Sequence, residues 1–363
     1  MTSPGTSADR LANGEAKPKR IVEWKNRLVI CCFALFALSQ PVAGCVSDGR
    51  YIMGTVLEIT LCATDAVAGR RTVDTLFATA TNLDALLTTF SPDSPISRLN
   101  AWAGRGAQIV PPEVADLLSL SLSYWRITDR TFDITVGPLM ALWRQAAATH
   151  VLPSHAAVRQ ARIRIGSEKV KLLPGNRVAL TRPGMAIDLG GIGKGYALDQ
   201  LTTFLRKQGL SQALLDFGQS SIWALGTPPD AEGWHLLIQQ PDGETVGIIT
   251  LRDQALSVSG SLGQTFVVNG NRYGHVIDPR SGVPLQRDLL ACVIAPSATQ
   301  AEALSKALLI LGEHEGIALL HRFPGVEGLL VESDGQRWMT PGWTAKEPAN
   351  PQPPAFNIDG RVL

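Results

Sequence analysis

From Ala66 to Leu87 apolar residues recur every three or four positions, a spacing that predicts one amphipathic helix over that span. Upstream, "RYIMGTVLEITL" (Arg50 to Leu61) alternates only in part and predicts a strand, while "TFSPDSPISRLNA" reads as a loop. Pro111 and Pro112 then open a second helix in which Val114, Leu117, Leu118, Leu120 and Leu122 face a core. "TDRTFDITVGPL" (Thr128 to Leu139) is a turn-rich connector, and "RIRIGSEKVKLLPGNRVALT" predicts short strands broken at Gly166 and at Pro174-Gly175-Asn176. Beyond Gly209 strand-like runs dominate: "ALLDF", "SIWALG", "WHLLIQQP", "VGIITL", "TFVVNGNRYGHVI" and "LLACVIAP", with Asn269-Gly270 marking a hairpin. "TQAEALSKALLILG" predicts a last helix with Thr299 as N-cap and Gly312 past its end. Strands and helices do not alternate regularly. The pattern therefore predicts an α+β fold of mixed or antiparallel sheets packed by helices, not a doubly wound parallel sheet.

The first 45 residues follow a different logic. Lys17, Lys19, Arg20, Lys25 and Arg27 precede the apolar run Leu28 to Leu38, which is short for a membrane span and suits a signal segment. It meets "VAGC", small residues before Cys45 that resemble a bacterial lipobox; an ordinary buried N-terminal helix is the alternative. The expected organisation is a signal peptide with lipobox over 1–45, a folded domain over 46–340 and a proline-rich tail over 341–363. Lipid on Cys45 would then hold the protein on the periplasmic side of a bacterial membrane. Only Cys62 and Cys292 would remain in the folded body, leaving a disulfide between them open and offering no zinc spacing. The 363-residue chain is 45% apolar and 18% charged, enough to bury a large core. Its formal charge of +1 supplies no basic field for nucleic acid.

Candidate chemistry concentrates in "MAIDLGGIGKGYALDQLTTFLRKQG", Met185 to Gly209. Leu198, Leu201, Phe204 and Leu205 predict a helix starting near Gly195 and stopping at Gly209. Glycines at 190, 191, 193 and 195 would bare the first amides of that helix, at the positive end of its dipole, to a phosphate or diphosphate. A tight strand-to-helix packing turn explains the same glycines equally well. The spacing matches neither a Walker A loop nor G-x-G-x-x-G. Asp188 beside an anion site calls for a metal, a cation or a ligand's hydrogen-bond donors.

Seven blocks in order, "MGTVLEITL", "TFSPDSPISRLN", "TFDITVGPL", "AIDLGGIGKGYALD", "LSVSGS", "RYGHVIDPRSGVP" and "VIAPSATQAEALSKALLILG", resemble the FAD:protein FMN transferases, the ApbE-type flavin transferases. The resemblance spans roughly Arg50 to Gly312. It implies the T-fold-like fold of that family, FAD as substrate, and a target flavoprotein as partner. The implied reaction is magnesium-dependent transfer of FMN from FAD to a Ser or Thr hydroxyl, releasing AMP. The flavin nucleotide would contact Met53, Phe90, Thr131, Phe132, Asp133, Asp188, Lys194 and Ile277, with Phe90 where the family often carries tyrosine. Asp188 and His275 are the catalytic candidates, His275 as general base for the target hydroxyl. Taken singly, Met53, Phe90 and Ile277 also suit a core, and Asp133 suits a turn.

The family's metal positions map to a main-chain oxygen of Gly191 and to Glu302 and Lys306, where relatives carry Asp followed by Thr. A protonated lysine repels magnesium. Thr299 with Glu302 also forms a T-x-x-E capping box, and Glu302 with Lys306 an i,i+4 ion pair. Gln219 and Ser220 stand where relatives often show Gly and Asp. Two other outcomes follow from these departures: FAD pyrophosphate hydrolysis to free FMN and AMP, or an FAD-binding lipoprotein without catalysis.

Overall fold

The computed structural model describes residues 44–240, 243–262 and 265–346. Residues 1–43 of the expected signal segment and 347–363 of the expected tail lie outside the described residues. The fold is α+β, as the irregular alternation of elements predicts. Its centre is an eight-stranded antiparallel sheet whose strands lie side by side in chain order: Cys45–Ile52, Thr55–Cys62, Ala213–Phe217, Ser221–Leu225, Gln254–Gly260, Leu289–Ala295, Glu327–Glu332 and Arg337–Met339. Seven helices are α1 (Ala66–Leu87), α2 (Pro95–Ala101), α3 (Pro112–Ile127), α4 (Gly137–Thr149), α5 (His155–Ile163), α6 (Gly193–Lys207) and α7 (Ala298–Leu320).

Both faces of the sheet are covered, which explains the unbroken apolar strand Leu289–Ala295. Its odd-numbered residues Ala291 and Val293 pack on Leu304 and Leu308 of α7. Its even-numbered Leu290, Cys292 and Ile294 meet Trp234, Ile238 and Ile249 of a separate hairpin, Trp234–Gln239 with Thr245–Leu251. Nearer the first strands, Leu57, Ile59, Leu215 and Phe217 are sealed by Leu76 and Phe77 of α1 and by Leu198 and Leu201 of α6. Fully burying side chains of this size supplies roughly 1.5–3 kcal/mol each, the main term in holding the layers together.

α1 occupies the predicted span, with Asp65 accepting from the Val67 and Ala68 amides as its N-cap. α3 also matches, except that Leu120 points outward and is 39% exposed. The Asn269-Gly270 hairpin forms between Phe266–Val268 and Asn271–Tyr273, both turn residues taking positive φ. α7 breaks at Gly312, whose φ of 75° and ψ of −161° end one helix before a second continues.

Four expectations are corrected. The strand over 50–61 is two strands, because Met53 and Gly54 turn the chain back on itself. The loop after Phe90 contains α2, started by Ser94 as N-cap and Pro95 in the first turn. "RIR" at 162–164 closes α5 instead of forming a strand. The N-cap of α7 is Ser297, which accepts from the Gln300 amide, and Thr299 lies inside the helix.

The cysteines are corrected as well. Cys45 and Cys62 face each other in the register of the first hairpin and form a disulfide, while Cys292 is a free, buried thiol. Cys62 therefore does not pair with Cys292, and burial pushes the Cys292 thiol up to about 12, far from thiolate chemistry. Lipid on Cys45 needs the same sulfur, so the lipid thioether and the observed disulfide exclude one another.

Candidate functional site

The hairpin tip Met53-Gly54 sets one wall of the site. Both residues have positive φ, 51° and 78°, the geometry of a two-residue turn that favours Asn-Gly and disfavours methionine. Asp84, in the last turn of α1, accepts the Met53 amide at 3.0 Å and holds this strained backbone. Met53→Asn is expected to raise the melting temperature by relieving this strain, which a melting curve measures.

A cavity of about 800 Å³ lies beside that tip, within the usual range for a cofactor-sized molecule. Met53, Phe90, Thr131, Phe132, Asp133, Asp188, Gly191, Lys194, His275, Ile277 and Lys306 all line it, eleven of the twelve residues nominated from sequence. They come from distant parts of the chain. Phe90 stands at the rim, 91% exposed, with its ring available for stacking. Phe132 is buried edge-on against Tyr124, and Ile277 lies in a short strand paired with Val283–Pro284.

Two of the nominated polar groups are committed within the protein. Thr131 donates its hydroxyl to the Thr128 carbonyl at 2.6 Å. Asp133 accepts from the Thr135 amide and hydroxyl and from the Ser167 amide and hydroxyl, tying the 131–135 segment to the start of the next strand pair. Burial pushes the Asp133 carboxyl upward, and those four hydrogen bonds oppose the shift. Asp133 shapes the wall by bracing it.

The glycine turn is also more committed than its sequence implies. The Gly190 amide donates to Asp188 Oδ1 at 2.9 Å, the Ile192 and Gly193 amides to the Leu189 carbonyl, and the Gly195 amide to Glu302 Oε2 at 3.0 Å. Gly195 has a packing role, since a Cβ there would sit 2.4 Å from the Ala298 carbonyl oxygen. Gly190 and Gly191 face the cavity. Packing thus accounts for the Gly195 end of the turn, while the Gly190-Gly191 end lies on the cavity wall.

α6 and α7 cap each other. Asp199 of α6 accepts from the Ala298 amide and from the amide and hydroxyl of Thr299, while Glu302 of α7 accepts from Gly195 and from the Ser221 hydroxyl. Glu302 is fully buried and does not line the cavity. The capping box with Thr299 and the ion pair with Lys306 are accordingly not formed. Each carboxylate bridges the neighbouring helix and the strand Ser221–Leu225 instead, Asp199 also accepting from the Trp223 indole.

Positive charge reaches the cavity through side chains. Lys194, in the first turn of α6, donates to the Ser220 hydroxyl, a neutral partner. Lys306 of α7 also lines the cavity, its side chain near Gly191. Burial pulls the Lys306 ammonium down to about 8, Glu302 opposing and Lys194 adding to the shift. Arg144 of α4 forms an ion pair with Asp188 Oδ2 at 3.3 Å and also lines the cavity, giving Asp188 the cation its position required.

Arg144 and Asp84 are absent from the residues nominated by sequence. A signal existed for each. Asp84 is an acid at a helix C-terminus, where the dipole disfavours it. Met140 and Arg144 share one face of α4 at i,i+4, and both line the cavity.

Asp216 sits behind Lys194, holding the turn at Gln219 by accepting its amide. Burial pushes its carboxyl up to about 7, and neighbouring Glu58, opposite it in register, pushes the same way. The folded state therefore binds a proton more tightly than the unfolded chain, whose carboxyl titrates near 3.9. Stability should fall as pH rises from about 4 to about 7, and Asp216→Asn should flatten that slope in denaturant titrations.

The comparisons agree with this geometry. Residues 53–330 match the model of the ApbE family. A FAD:protein FMN transferase from Salmonella typhimurium is 28% identical, the match covering 82% of this chain and 87% of the relative. One from Treponema pallidum is also 28% identical, covering 79% and 84%. The flavin transferase ApbE from Vibrio cholerae superposes with a TM-score of 0.73 at 25% identity, covering 82% of this chain and 97% of the other. The apo flavinyl transferase ApbE from Pseudomonas stutzeri gives 0.72 at 28% identity, covering 82% and 94%. With the family match running through every wall of the cavity, this chain belongs to the ApbE family.

Proposed function

We propose that this protein transfers FMN from FAD to a serine or threonine hydroxyl of a target protein and releases AMP; its relatives are named FAD:protein FMN transferases. The observation that carries the reading is the convergence of residues from distant segments, nominated from one family pattern, on a single cofactor-sized cavity. In the transfer, the target hydroxyl oxygen bonds to the FMN-side phosphorus. The bond from that phosphorus to the AMP oxygen breaks, its electron pair leaving with AMP, while the hydroxyl proton passes to a base. His275 and Asp188 lie on the cavity wall for that role. Phe90 supplies a stacking face for the flavin, and Lys194 offsets charge on the diphosphate.

Magnesium, implied by the resemblance, is not matched by these side chains. The Glu302 carboxylate is turned to Gly195 and Ser221, Lys306 presents an ammonium, and among the described residues no three His, Cys, Asp or Glu side chains are grouped to hold a metal. No step is therefore routed through it.

The reading extends to location. A lipidated Cys45 would place the cavity outside the cytoplasmic membrane, which requires that Cys45 be modified before Cys62 captures it. Mass spectrometry of the mature N-terminus distinguishes the two fates of that sulfur.

The direct test incubates the full-length protein with FAD and a candidate target flavoprotein. A target heavier by one FMN, with AMP released in equal amount, supports transfer. AMP with free FMN and no labelled target points to hydrolysis, and absence of AMP removes both reactions.

A further inference from the structure

We infer that Lys306 performs the charge neutralisation a divalent cation would otherwise supply, so that this protein binds FAD without metal. The inference rests on the reading of FAD as substrate, and it deepens that reading by assigning the group that meets the diphosphate. Four observations carry it.

Lys306 lines the cavity next to the glycine turn, where a Cβ placed on Gly191 would lie 3.8 Å from its Cγ and 3.9 Å from its Cε. Among the described residues no hydrogen bond or ion pair engages its ammonium. The carboxylate one helical turn before it, Glu302, is anchored away from the cavity by the Gly195 amide and the Ser221 hydroxyl, leaving the Lys306 charge without a direct counterion. The second ammonium, Lys194, rests on a neutral hydroxyl.

Two ammonium groups therefore flank the glycine turn with neither paired to a carboxylate. Asp188, the other acid at the turn, is balanced by Arg144. A dication entering beside them meets like charge from both, whereas a diphosphate meets complementary charge from both. Ser305, the residue before Lys306 on α7, shares a buried hydroxyl cluster with Ser257 and Ser259 of the sheet and donates to the Glu302 carbonyl.

The test is FAD binding, independent of turnover. Full-length protein is titrated with FAD by flavin fluorescence, once with EDTA and once with magnesium chloride. The expected result is one affinity under both conditions, within about threefold, because the cation is built in. Lys306→Gln should weaken binding in EDTA by about tenfold or more, and Lys306→Arg should restore most of it. Melting curves on both variants verify folding. FMN, which has one phosphate and no diphosphate, should respond less to Lys306→Gln than FAD does.

Wild-type binding that requires magnesium overturns the inference and leaves the proposed function standing. Equal FAD affinity of Lys306→Gln and wild type in EDTA overturns it too. Failure of the wild type to bind FAD under either condition removes the proposed function, and the inference with it.

Discussion

Lys194→Met is expected to weaken FAD binding by about tenfold to a hundredfold while leaving the melting temperature nearly unchanged. Lys194 sits in the first turn of α6, where the helix dipole and the ammonium point toward the same cavity. Among the described residues its ammonium donates to the Ser220 hydroxyl alone, so little folding energy depends on it. Methionine fills nearly the same volume and removes only the charge. A charged hydrogen bond to a phosphate oxygen contributes about 1.5–3 kcal/mol, which sets the size of the loss. The wild-type affinity should also fall with added salt, and the variant's less steeply. If the variant binds FAD as tightly as the wild type, Lys194 does not face the diphosphate.

Glu302→Ala should have the largest effect on stability, a loss of about 3–5 kcal/mol in denaturant titrations. Glu302 is fully buried and satisfies both the Gly195 amide and the Ser221 hydroxyl. Alanine orphans both donors and leaves a void between α6, α7 and the sheet. Glu302→Gln keeps an acceptor for Gly195 and should lose less. Because Lys194 precedes Gly195, release of that helix tip should lower FAD affinity as well, even though Glu302 does not line the cavity. Unchanged stability in Glu302→Ala would show that the two helices do not depend on their mutual caps.

Much of the site was legible in the chain because a family pattern lists residues, and residues retain their identity wherever the fold carries them. Phe90, Asp188 with Lys194, and His275 arrive at one cavity from three separated segments. Their bonding was not legible. Asp133, read as a contact, is saturated by Thr135 and Ser167, the latter 34 residues away. Glu302, read as a metal position or a local ion-pair partner, reaches Gly195 and Ser221, 107 and 81 residues away. Local patterns weigh i,i+3 and i,i+4 neighbours, and both carboxylates found stronger donors outside that range.

By itself the sequence determined what depends on local physics: the span of α1 from its apolar period and Asp65, the Asn269-Gly270 turn from its tolerance of positive φ, the helix break at Gly312, and an α+β order of elements. Tertiary structure alone decided the partners. It joined Cys45 to Cys62 across a hairpin that a methionine at the turn had concealed, and gave Asp188 to Arg144 of an unread helix. It also set Gly195 against the Ala298 carbonyl and left Lys306 facing the cavity without a counterion. Those outcomes follow from competition among buried donors and acceptors for the few partners within reach, and only the packed chain defines that reach.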